Sequence, residues 1–171
     1  MIGTVYTVPP IPPDPDHTTW VDAGAIRIGV EFRRLDDAEL QANYEGAAMD
    51  EIKDALAGAA VQDNGVSIHV SGAGDGHEYL RFDLFEKEPH YHYIDRSGAR
   101  QTIIDFDCVA HGPMLPWALA RIRDRLAPML DHAGGQSISA RLDAESIEAG
   151  LVEVEKLARD AEAALAQGKT R

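Results

Sequence analysis

"EPHYHYIDRSGARQTIIDFD", residues 88–107, is the stretch on which the fold turns. Histidine and tyrosine alternate from 90 to 93, and strand side chains point to opposite faces with a period of two. His90 and His92 therefore share one face, and Tyr91 and Tyr93 share the other. Ser97-Gly98 reads as the centre of a hairpin turn, so partner positions sum to 195, which sets His90 opposite Asp105 and His92 opposite Ile103.

The same reasoning carries back along the chain. "HEYLRFDLF" ends in a charged turn at Glu86-Lys87, which sets His90 opposite Asp83 and His92 opposite Arg81. One sheet face then holds Leu80, Phe82, Leu84, Tyr91, Tyr93, Ile104 and Phe106. The other holds Arg81, Asp83, His90, His92, Asp105 and Asp107, with Tyr79 and Phe85 on that polar side by alternation. "VSIHV" (66–70) precedes the turn "SGAGDG", and a turn at Asp63-Asn64-Gly65 precedes it in its own right. "AIRIGVEFRR" places Ile26, Ile28, Val30 and Phe32 against Arg27, Gly29, Glu31 and Arg33 and supplies a further strand. The fold class this predicts is α+β: a four- to five-stranded antiparallel meander with helices packed on one face.

Helical spacing appears in three places. Leu40, Tyr44, Ala47, Ile52, Ala55, Leu56 and Ala59 recur at threes and fours from Asp36 to Ala60, broken near Gly46. "PMLPWALARIRDRLAPML" repeats Leu115, Leu119, Ile122, Leu126 and Met129 between prolines. From Asp143 to Gln167 the residues Ile147, Leu151, Val154, Ala158, Ala161 and Leu165 form a long C-terminal amphipathic helix, whose seam suits docking on its own domain or pairing in a homodimer. Five prolines between Pro9 and Pro15 make the start of the chain an extended arm. The organisation expected is an arm over 1–19, one α+β domain over 20–135 and the terminal helix over 142–167.

Composition narrows function by exclusion. With 29 acidic against 16 basic residues the formal charge is -13, which repels nucleic acid and anionic lipid. No apolar run has the length of a membrane span, and the single cysteine with no signal-peptide pattern predicts a cytoplasmic protein. Cys108, in "CVA", reads as a buried small hydrophobe, and "GAGDG" as a turn, since no helix follows it to receive a phosphate.

The polar lane is the candidate site. His90, His92 and Asp105 form an imidazole and carboxylate set suited to zinc, iron, nickel or copper, with Asp83 and His69 as alternative donors. Without a metal, a His–Asp pair would do acid–base work while Arg81 anchors an anionic group and Asp83 supports it. The reading is a small-molecule enzyme or ligand-binding domain with a small molecule as partner; a plain wet sheet face is the bland counterpart. The competing class is a non-enzymatic accessory protein acting through its acidic surface and terminal helix.

Overall fold

A computed structural model describes residues 2–167, so the first residue of the arm lies outside it. The strands are β1 (Thr4–Tyr6), β2 (Thr18–Ala23), β3 (Ile26–Asp36), β4 (Gln62–Gly72), β5 (Glu78–Phe85), β6 (His90–Ile94) and β7 (Gln101–Asp105). The helices are α1 (Asp37–Asn43), α2 (Gly46–Ala55), α3 (Cys108–His111), α4 (Met114–His132), α5 (Gln136–Ser139) and α6 (Ala144–Ala166). All seven strands join one antiparallel sheet in the order β1-β7-β6-β5-β4-β3-β2.

The class is α+β, and the sheet is larger than the expected four or five strands. β1 and β2, which flank the proline run, are the additions. Both are short and lie beside the proline run that dominates the sequence there; β1 finds its partner in distant β7, while β2 forms a tight hairpin with β3. In the central hairpins His90 stands opposite Asp105 on one side and Asp83 on the other. The second hairpin loop is longer than two residues, closed by Asp95 and Arg100, but it grows symmetrically about Ser97-Gly98 and leaves the register intact.

Alternation sends Ile26, Ile28, Val66, Ile68, Val70, Leu80 and Phe82 to one face, where they meet Leu115, Ile122 and Leu126 of α4 and Ile147, Leu151 and Val154 of α6. The apolar stripe of the terminal helix is thus spent on its own sheet, covering β2, β3 and β4, while α4 lies on β5. Two helices packed roughly 8–10 Å apart cover about four strands at roughly 4.8 Å each. β6, β7 and β1 extend beyond that cover.

The second face is covered too, although the sequence led us to expect an open, concave one. Val8 and Ile11 of the arm join Leu40 and Tyr44 of α1 and its C-cap and Met49 of α2 in a separate apolar cluster over the polar lane. Topology explains the prolines. The chain leaves β1 at one rim of the sheet and enters β2 at the other, six strand spacings away, or about 29 Å. Residues 9–14 of this connection run extended, with a bend before them and a hydrogen-bonded turn at Asp14–Thr18 after them, so the crossing has little length to spare. The arm is a nearly taut strap, and its backbone carbonyls take hydrogen bonds that strand partners cannot supply: Arg33 donates to Ile11 and Pro12, Gln101 to Val8, and the Tyr44 hydroxyl to Pro9.

Three local expectations change. Asp63, Asn64 and Gly65 lie inside β4, because Gly65 lets the Leu84 carbonyl approach so closely that a Cβ would sit 2.3 Å from it. Tyr79 is in the helix-side core, because the register shifts at Val70/Ser71: Ser71 pairs with Glu78, and the additional residue turns Tyr79 toward Gly135 and the Asp75 carboxylate. Cys108 is exposed, because Asp107 accepts from the Val109 and Ala110 amides, starts α3 and lifts the "CVA" segment off the sheet. The helix expected over 113–130 also runs on past Pro128 to His132.

Candidate metal centre

Strand parity delivers Asp83, His90 and His92 to one face of adjacent strands, β5 and β6. Asp83 Oδ2 lies 2.9 Å from His92 Nε2 and 3.3 Å from His90 Nε2. The three residues place one donor atom each within 4.8 Å of one another. Asp83 and His92 are buried and His90 is at the rim, its ring edge-on to Phe85.

What the far side of each imidazole does decides the chemistry. His90 Nδ1 lies 2.7 Å from the Glu88 carbonyl, and His92 Nδ1 lies 2.7 Å from Gln101 Oε1. Gln101 is itself oriented, since its amide NH2 donates to the Val8 carbonyl and leaves the oxygen facing His92. Each imidazole thus has a carbonyl oxygen at Nδ1 and the same Asp83 oxygen at Nε2; in the tautomer with the proton on Nδ1, both Nε2 lone pairs would point at one carboxylate oxygen. The other Asp83 oxygen accepts from the Ser67 hydroxyl. In that tautomer three electron-rich atoms face one another, and a cation between them would satisfy all three.

In the bare protein a proton can fill that role. Burial alone would raise the Asp83 carboxyl, but hydrogen bonds from His90 and His92 outweigh it and hold the group well below its ordinary range. Burial pulls His90 down and Asp83 more than restores it, so His90 is raised; at fully enclosed His92 burial wins and the imidazole is lowered.

A second buried network runs beside the first. Arg81 gives Nε to Glu78 Oε1 at 2.9 Å and a terminal nitrogen to Oε2 at 2.7 Å. Burial would raise Glu78, but the Arg81 charge overrides it and brings the carboxyl to about 2. His69 lies between Glu78 Oε1 at 2.6 Å and Glu31 Oε2 at 3.0 Å. Neutral imidazole has one N–H and can donate to only one of the two carboxylates at a time.

Of the residues singled out from sequence, Asp83, His90 and His92 come together. Asp105 stands opposite His90 but is exposed and outside the three-donor group. Arg81 shares the face, yet its guanidinium is committed to Glu78, and His69 is committed to two carboxylates. Gln101, Ser67, Glu31 and Glu78 were passed over. The hairpin sum already put Gln101 on the polar face next to His92, and alternation did the same for Ser67 and Glu31. Glu78 needs the bulge, which no pattern announces.

Residues 20–158 match the family described as Domain of unknown function (DUF7700). The chain belongs to that family. The matched span holds Asp83, His90, His92, Ser67 and Gln101 and stops short of the strap, so the three donors and their supports lie within the family domain while Val8, which orients Gln101, lies before it. No curated protein and no solved structure matches the chain. Among the described residues, no helix is long and apolar enough to cross a membrane.

Proposed function

We propose that this domain binds one divalent transition-metal ion through Asp83, His90 and His92 and uses it on a small-molecule ligand. The observation that carries the reading is the pair of Nε2 atoms turned onto a single Asp83 oxygen while both Nδ1 atoms face carbonyl acceptors. Metal-bound histidines are oriented by such outer hydrogen bonds, which fix the tautomer and strengthen the donor. The spacing also suits an ion. Bonds of about 2.0–2.1 Å put neighbouring donors about 3.0 Å apart in an octahedron and about 3.4 Å apart in a tetrahedron. The present separations of 2.9 and 3.3 Å are of that size.

Two imidazoles and a carboxylate favour zinc, iron, nickel or copper over calcium or magnesium. Three protein donors leave coordination positions for water or a ligand, which is the difference between a site for chemistry and a closed structural one. Entry is at His90, the one donor with appreciable exposure, 16% of its side chain. The accessory-protein alternative has less to draw on, since the apolar stripe of α6 is buried within the domain.

The test is titration of chelator-treated protein with Zn2+ by calorimetry and with Co2+ by its visible absorption. Near-stoichiometric binding is expected, lost in His90→Ala and His92→Ala. A far-UV spectrum of metal-free His90→Ala that matches wild type separates loss of a ligand from loss of the fold. Wild-type protein that takes up neither ion, or a His90→Ala variant that binds both as tightly as wild type, would overturn the proposal.

A further inference from the structure

The strand that turns His90 and His92 toward the candidate metal turns Tyr91 and Tyr93 the other way, onto the part of the sheet that the helices do not reach. Here β6, β7 and β1 face α4 across a groove of about 620 Å3. Cavities of roughly 300–1,000 Å3 are the usual size for small-molecule sites. On the helix side, Trp117, Arg121 and Arg125 follow one another at every fourth residue and so form one line along α4. His132 closes the end of this line with its ring 4.5 Å from that of Tyr93.

Two features give the groove a chemical preference. First, the groove is lined by aromatic rings set at angles to one another: Tyr91, one side of which stacks on Phe82, is tilted by 50° to Trp117 at 5.2 Å and meets Tyr93 edge-on at 5.9 Å. Second, the charge is inverted. The chain carries -13 overall, yet the described lining includes Arg121 and Arg125 and no carboxylate. The Arg121 guanidinium lies over the Trp117 ring, 5.7 Å from its centroid, and its buried Nε has no hydrogen-bond partner. A buried donor without an acceptor is unfavourable, and an anionic ligand would supply the missing acceptor.

We infer that this groove binds a small planar aromatic anion, an aryl carboxylate or its like, with the ring among Tyr91, Tyr93 and Trp117 and the charge on Arg121 and Arg125. The inference does not depend on the metal, which would lie on the opposite face of the sheet.

The experiment uses the full chain labelled with 15N and three probes: 1-naphthoate, the uncharged 1-naphthalenemethanol, and acetate. With 1-naphthoate, amide shifts should saturate with a dissociation constant below about 1 mM and cluster in residues 91–93 and 117–132. The alcohol should bind about tenfold more weakly, acetate should not saturate, and the double variant Arg121→Gln, Arg125→Gln should lose about tenfold for naphthoate alone. Both arginines sit on the helix surface, so the variant keeps its fold, which its amide spectrum will show. The inference is overturned by shifts that do not saturate or lie elsewhere, by equal affinity for the uncharged alcohol, or by a double variant that binds naphthoate as wild type does.

Discussion

Replacing Glu78 by glutamine tests the buried charge network in a way that pH can titrate. Glu78 holds Arg81, which is 2% exposed, through two hydrogen bonds, and its carboxyl falls from 4.5 to about 2 in the folded chain. A depressed carboxyl stabilises the fold at any pH above its unfolded value, and the contribution is lost as pH falls through the folded value. At 1.36 kcal/mol per pH unit the drop is worth about 3 kcal/mol at pH 7 and about 1 kcal/mol at pH 3. Leaving a buried arginine without its partner costs about 3–5 kcal/mol by an independent route, so the two magnitudes agree. Urea unfolding followed by tryptophan fluorescence at pH 7, 4 and 3 should show Glu78→Gln less stable by about 3 kcal/mol at neutral pH, with the gap narrowing on acidification. A deficit below about 1 kcal/mol at pH 7, or one that stays constant down to pH 3, would refute the reasoning.

Two further substitutions probe packing. Gly65→Ala puts a Cβ 2.3 Å from the Leu84 carbonyl and 2.8 Å from the Phe85 Cα, atoms of β5 backbone that cannot rotate away. A loss of about 2–3 kcal/mol, or a melting temperature lower by about 5–10 °C in a calorimetric scan, is expected. On α6, Leu151 is 2% exposed and Val152 is 69% exposed. Leu151→Ala should cost about 3 kcal/mol and Val152→Ala less than about 0.5 kcal/mol in denaturant unfolding. Equal effects would mean that the helix docks on a different face.

How much of this was legible depended on the range of the interaction that decides each feature. Register in the central hairpins followed from the two turn centres and agreed with alternation, because shifting one residue would bury His90 and expose Phe82. That register set His90 opposite Asp83, whereas the contact of His92 with Asp83 is diagonal, and the sequence pointed to Asp105 first. By contrast β1 pairs with β7 more than half the chain away, and its three residues carry no period of their own. The cover over the polar face depends on where Val8 and Ile11 land, which is a property of topology. Cys108 shows the limit of short apolar runs: "CVA" has no period to say which way it points, and the Asp107 cap decided it.

The strap over the polar face has one more consequence. The rims of a sheet are where fraying starts and where foreign strands add on, because their outer backbone groups are unpaired. In this protein the two rim strands, β1 and β2, are the two ends of a single tether with little slack. Peeling either rim strand away would tug the strap off Arg33 and Gln101 and let water reach the charges beneath. Rim opening and wetting of the buried network are therefore one event, with the cost of the second guarding against the first.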